Sequence, residues 1–178
     1  MKIGLVRHYK VNKEYPSKKW LTKEEVIQWF HEYDTAEIEY GETDLMNITW
    51  KQCYSSDLPR AVKTSEKIYQ GPITQLKELR EIPLPTFKLN VKLPFLVWGI
   101  LIKLSWLFNP KVKKDIKKTE ERIALFLDQV LQGEKDTLIV SHAALMKYLR
   151  KELLKRGYEG PKYSTPDNGR LYLFSKSE

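Results

Sequence analysis

A short apolar run that stops at an arginine–histidine pair constrains this chain more than any other feature. Ile3-Gly4-Leu5-Val6 is followed at once by Arg7-His8, and polar sequence comes next. A run of this length, bounded in this way, predicts a strand buried on both faces, as in a parallel sheet. Parallel sheets place their ligand sites outside the carboxyl ends of their strands. Arg7 and His8 are therefore expected at a site. A guanidinium offers forked donors to phosphate oxygens, and a neutral imidazole can act as a nucleophile.

The same pattern recurs along the chain. Thr137-Leu138-Ile139-Val140 reads as a second strand that runs into Ser141-His142, and a helix follows with Leu145, Tyr148, Leu149 and Leu153 facing inward. Gln52–Ser55 reads as a strand, after which Ser56 or Asp57 is expected to cap a helix with Pro59 in its first turn. Leu58, Ala61, Val62, Ser65, Ile68 and Tyr69 are its expected buried face. Arg60 then lies in the first turn, beside free backbone N–H groups and the positive end of the helix dipole. Residues 76–79 read as a further strand, with Glu81 just past its end.

The remaining elements are simpler. Thr22 and Glu25 form a capping-box pair that starts a helix, with Val26, Trp29, Phe30 and Tyr33 on its core face and His31 on the surface. Residues 34–50 are acidic and irregular, as in a loop or extended connection. A helix is predicted over 111–132, and Asn168-Gly169 is a tight turn before a last strand over 171–174.

Length and charge limit the functions to consider. At 178 residues the chain suits one α/β domain over 1–178. A formal net charge of +8 favours anionic partners: phosphorylated metabolites, nucleic acid or an anionic membrane surface. The lone Cys53 fits a reducing compartment, and its place in a strand predicts a buried, inert thiol. The first apolar run ends at Arg7, too short for a signal peptide, so a cytoplasmic location is expected.

Four predicted strand ends carry Arg7-His8, Arg60, Glu81 and His142. Two histidines, two arginines and a carboxylate at one sheet edge suit phosphoryl transfer without a metal. The segment Ser55-Ser56-Asp57-Leu58-Pro59-Arg60-Ala61-Val62-Lys63-Thr64 resembles the Ser-Ser-Asp-Leu-x-Arg-Ala-x-x-Thr motif of the histidine phosphatase superfamily, the phosphoglycerate-mutase-like phosphatases. Arg7-His8-Tyr9 resembles that family's Arg-His-Gly, Leu79-Arg80-Glu81 its Leu-x-Glu, and Ser141-His142-Ala143 its Ser-His-Gly. The resemblance implies a three-layer αβα sandwich with a mostly parallel central sheet and an inserted helical lid.

It also implies roles. His8 would become a phosphohistidine; Arg7, Arg60, His142 and the backbone at Ala143 would hold the phosphoryl group; Glu81 would be proton donor and then base. The implied substrate is a phosphorylated small molecule or phosphoprotein, with no metal and no cofactor. A phosphoglycerate-type mutase is the first alternative, although Val11 and Glu14 stand where that branch has Thr and Asn. A basic nucleic-acid- or membrane-binding protein on a degenerate scaffold is the second. The complete site argues against it, since binding alone would not need Glu81 beside two histidines. Tyr9 and Ala143 replace two family glycines.

One segment stands out between Glu81 and the 111–132 helix. Residues 82–110 form an apolar insertion in which Phe95–Phe108 has Lys103 as its only charge. A helix of that length spans about 21 Å, short of the roughly 30 Å hydrocarbon core of a bilayer. It is expected to serve as a lid, a subunit contact, or a membrane-interface element helped by the lysines up to Lys118. As a lid it would hold Trp98 and Trp106 at the site mouth.

Overall fold

The computed structural model describes residues 1–85, 87 and 90–176. A five-stranded sheet forms its centre: β1 (Lys2–Arg7), β4 (Gln52–Ser56), β5 (Ile73–Leu76), β6 (Thr137–Ser141) and β7 (Leu171–Ser175), in the order β5-β4-β6-β1-β7. All neighbours are parallel except β1 and β7. Two-residue strands β2 (Lys10–Val11) and β3 (Ile38–Glu39) make a separate antiparallel pair.

Side-chain alternation along β1 divides the core. Ile3 and Leu5 face α4 (Pro110–Gln132) and α5 (Ala143–Lys155), packing with Ile123, Leu127, Leu145 and Leu149. Val6 faces the other way, toward Ala61 of α2 (Pro59–Ile68) and Trp50. The central strands are covered on both sides, which is why they read as continuous apolar runs. The sheet is mostly parallel and flanked by helices, as expected.

Two boundaries differ from the sequence reading. The fifth strand occupies 73–76, and Lys77–Leu79 forms a 3-10 turn. Leu76 and Leu79 are both apolar, and three-residue spacing fits a turn as well as a strand. The N-cap of α2 is Leu58, with no side-chain bond; Ser56 Oγ, two residues earlier, instead accepts from Leu58 N at 3.3 Å. Pro59 opens the helix, as its fixed φ allows. The capping box of α1 (Lys23–Thr35) is present in both directions, Thr22 with Glu25.

The apolar insertion contains α3 (Phe95–Phe108), the range expected, followed by α4 after a bend of 76°. Residues 86, 88 and 89 of the insertion lie outside the described residues. Trp98 does not face the site. It is 1% exposed, packs with Leu21 and Val26, and donates from Nε1 to the Leu21 carbonyl at 2.9 Å. Trp98 therefore ties α3 to the start of α1. Trp98→Ala should lower unfolding free energy by about 3–5 kcal/mol, the cost of a large aromatic removed from a core. Urea denaturation reads this directly; a loss below about 1 kcal/mol would mean that α3 is held elsewhere.

Candidate active site

Topology brings the predicted residues to one edge. Arg7 closes β1, His8 follows it, His142 follows β6, and Arg60 opens α2 just after β4. These strands are neighbours and parallel, so their carboxyl ends coincide. A cleft of about 700 Å³ lies there, lined by Arg7, His8, Arg60, Glu81 and Ala143, among others. His142 sits directly behind, its ring centroid 5.2 Å from that of His8.

His8 is fixed from all sides. Its N–H donates to the Ser141 carbonyl at 3.0 Å, and its carbonyl accepts from Asn168 Nδ2 at 2.7 Å. Its Nδ1 lies 2.6 Å from the Tyr9 carbonyl. A carbonyl can only accept, so the ring proton is on Nδ1 and the Nε2 lone pair is left free. Burial, then the Arg60 charge, lower the His8 pKa to about 3, with Arg7 adding to the effect against the Tyr9 bond. The imidazole is therefore neutral at ordinary pH, as a nucleophile must be.

The same environment holds His142 neutral, burial first and Arg60 second. Both folded-state values lie below that of an unfolded histidine, so the unfolded chain takes up protons first as pH falls. The contribution of His8 is complete above about pH 6.5 and declines as pH drops toward 3, by up to about 1.4 kcal/mol per pH unit, and His142 acts in the same direction. The urea midpoint of the wild type should fall more steeply from pH 7 to pH 4.5 than that of His8→Asn. Parallel curves would mean that His8 is protonated in the folded state.

The arginines are braced, with donors to spare. Arg7 Nη1 donates to the Pro166 carbonyl at 2.9 Å, and its buried Nε has no partner. Arg60 is buried, lies 5.4 Å from the Tyr33 ring centroid and contacts Asp34 Oδ1 through Nη1 at 2.5 Å; its Nε also lacks a partner. His142 Nε2 is 2.8 Å from Ser56 Oγ. Ser56 Oγ also accepts from Leu58 N–H; with its own hydrogen given to His142 Nε2, the imidazole proton stands on Nδ1, the tautomer that an oxyanion would need. That Nδ1 is buried and unpartnered. Donors without acceptors, gathered around a neutral histidine, are what an incoming oxyanion requires.

Glu81 is held differently from the expectation. It follows the 3-10 turn rather than a strand, and its carboxylate caps α5. Oε2 accepts from Ala144 N at 3.1 Å, while Oε1 accepts from Leu145 N at 3.0 Å and Ile82 N at 3.1 Å. Three amide donors thus fix the carboxyl at the start of α5.

The two glycine replacements are accommodated without backbone strain. Neither Tyr9 nor Ala143 has a positive φ, and Ala143 simply begins α5. The Tyr9 ring is buried, and its hydroxyl is 3.0 Å from Thr43 Oγ1. Gly169, at φ +68°, leaves room for it: a Cβ there would lie 2.5 Å from Tyr9 Cε1. The glycine that makes room for the ring thus lies in the facing turn, not beside the nucleophile.

Several supporting residues escaped the sequence reading. Ser56 orients His142, Asn168 holds the His8 carbonyl, and Asp34 and Tyr33 brace Arg60. Thr64 accepts from Tyr9 N at 2.9 Å and donates to the Arg60 carbonyl at 2.7 Å, joining the two arms of the site. Ser56 and Thr64 stood inside the quoted motif, which signalled them without a role. His31 is exposed as expected, yet lies on the cleft rim. Cys53 is buried, and desolvation pushes its thiol up to about 12, consistent with an inert role.

Comparison with known proteins gives the fold a context. The family model described as histidine phosphatase superfamily (branch 1) matches residues 35–177. The structure is similar to that of phosphoserine phosphatase from Entamoeba histolytica in complex with 3-phosphoglyceric acid, with TM-score 0.52 and 20% identity over 86% of this chain and 80% of that one. It is also similar to phosphoglycerate mutase from Bacillus anthracis str. Sterne, with TM-score 0.52 and 17% identity over 99% of this chain and 92% of that one. No curated protein sequence matches the chain.

Proposed function

The chain belongs to the histidine phosphatase superfamily, and from that premise we propose that it hydrolyses phosphomonoesters through a phosphohistidine on His8. The observation that carries this reading is the neutral, tautomer-fixed His8 beside Arg7 and Arg60. The Nε2 lone pair attacks phosphorus, the ester P–O bond breaks, and the leaving alcohol takes a proton from Glu81. Arg7, Arg60, His142 Nδ1–H and the Ala143 backbone hold the phosphoryl oxygens, whose charge must be stabilised as the bond breaks. Glu81, now a carboxylate, removes a proton from water; the water oxygen attacks phosphorus, the N–P bond breaks, and inorganic phosphate leaves. One carboxyl serves both steps because the second needs the base that the first leaves behind.

Labelling with radioactive acetyl phosphate tests the covalent step. An alkali-stable, acid-labile label on His8 is expected, and its transfer to water gives the hydrolase. Transfer to a second hydroxyl compound instead would make the protein a mutase. Among the described residues no three His, Cys, Asp or Glu side chains are grouped to hold a metal ion. The labelling should therefore survive exhaustive chelation; loss with recovery on adding a divalent ion would reject the scheme.

A further inference from the structure

The walls of the cleft differ from its floor. The floor carries the arginines and His8, whereas Tyr15, Trp29, Phe30, Tyr33, Leu84 and Phe95 form the sides. These aromatics support one another. The rings of Tyr15 and Trp29 are nearly parallel, at 3°, with centroids 6.3 Å apart, and Phe95 meets Trp29 edge-on at 4.8 Å. Trp29 is anchored by a bond from Nε1 to the Glu14 carbonyl at 3.0 Å.

Among the described lining residues, a second anionic group on the substrate would find few cations to meet it. The lining arginines beyond Arg7 and Arg60 reduce to Arg80, which is paired twice with Asp57, at 2.6 and 2.7 Å, and His31 lies on the rim. Asp34, also in the lining, is the partner of Arg60. Beyond the phosphoryl group, a phosphorylated hydroxy acid would thus meet mainly apolar rings. A lipophilic alcohol would meet surface it can bury against.

We propose that the substrates are phosphomonoesters of apolar alcohols, aliphatic or aromatic, rather than small phosphorylated acids. This rests on the phosphatase reading above. The test is kcat/KM for n-alkyl phosphates from ethyl to hexyl. Their leaving alcohols have nearly equal basicity, so the series reports binding rather than chemistry. Each added methylene should raise kcat/KM about two- to fourfold, as expected for buried CH₂ groups. Trp29→Ala should flatten that slope. Leu84→Ser, on a loop, should flatten it too and does not depend on how α1 packs. Phosphoenzyme formation from acetyl phosphate is measured alongside. A flat alkyl series, or a preference for 3-phosphoglycerate over hexyl phosphate, overturns the substrate class when the phosphoenzyme forms. Absence of both phosphoenzyme and turnover overturns the phosphatase reading itself, and this proposal with it.

A separate observation concerns the outer face of α3. Leu96, Ile100, Leu104, Leu107 and Phe108 are between 42% and 77% exposed. At 100° per residue they fall within an arc of about 120°. Lys103 is exposed at its border, and Lys111, Lys113, Lys114, Lys117 and Lys118 are all exposed on the adjoining turns of α4, whose buried face is Val112, Thr119 and Ile123. No single helix among the described residues is long and apolar enough to cross a membrane. An apolar helix face bordered by lysines complements an anionic interface, where the helix lies flat.

We infer that this face rests on an anionic lipid surface. Sedimentation with phosphatidylglycerol vesicles should carry the protein down, and binding should weaken with salt. Leu107→Glu should abolish it, and Lys111→Ser with Lys114→Ser should weaken it about thirtyfold, from about 1 kcal/mol per lysine. Both changes are on exposed positions. No sedimentation overturns the inference, as does equal binding to neutral phosphatidylcholine vesicles. A dimer that Leu107→Glu dissociates, with no vesicle binding, would show that a second copy covers the face.

Discussion

His8→Ala should lower turnover of phosphomonoesters by about four orders of magnitude or more, the scale seen when a covalent nucleophile is removed. The fold should survive. Two bonds that position residue 8 are backbone bonds, to Ser141 and from Asn168, and alanine keeps both. Removing a buried imidazole also removes a group that resists protonation, so the variant should lose less stability in acid than the wild type. In the wild type the phosphoryl group should sit on Nε2, because Nδ1 is committed to the Tyr9 carbonyl. Phosphorus NMR of the trapped protein distinguishes the two nitrogens. Turnover in His8→Ala near wild type would remove His8 from the role assigned, and label on Nδ1 would overturn the tautomer read from the Tyr9 bond.

Much of this arrangement was legible because it follows from strand order and motif spacing. A parallel strand that ends in a charged pair commits that pair to one edge, so Arg7, His8 and His142 could be placed before any coordinates. The α3 range was legible because prolines and Asn109 bound an apolar run. What could not be read were relations between distant side chains. Nothing in sequence pairs Asp34 with Arg60, or turns Trp98 inward toward Leu21 rather than outward to the cleft. Trp98 and Trp106 fit one stripe, but nearly every position of α3 is apolar, so periodicity did not say which side would pack. Glu81 was located correctly in the chain and incorrectly in its surroundings, since its partners are amides of a helix that starts more than sixty residues later.

Those amides sharpen what Glu81→Gln should do. The Glu81 carboxyl accepts from the Ala144, Leu145 and Ile82 N–H groups, so a substitution there touches the start of α5 as well as the chemistry. Glutamine can accept from only one oxygen, so the change should cost about 1 kcal/mol of stability through the weakened start of α5. The catalytic effect should be larger and should depend on the leaving group. Alkyl phosphates, whose alcohols leave poorly without a proton, should slow by about 10²–10⁴-fold. p-Nitrophenyl phosphate needs little protonation, so its first step should persist while hydrolysis of the phosphoenzyme, which needs the base, stalls. The variant should therefore release a burst of p-nitrophenolate close to one equivalent per protein and then turn over slowly. A burst with slow turnover assigns both proton transfers to Glu81. Equal losses for the two leaving groups, with no burst, would move the proton elsewhere, and Asp34 is the other carboxylate that lines the cleft. Asp34→Asn would then reproduce the leaving-group dependence that Glu81→Gln lacked.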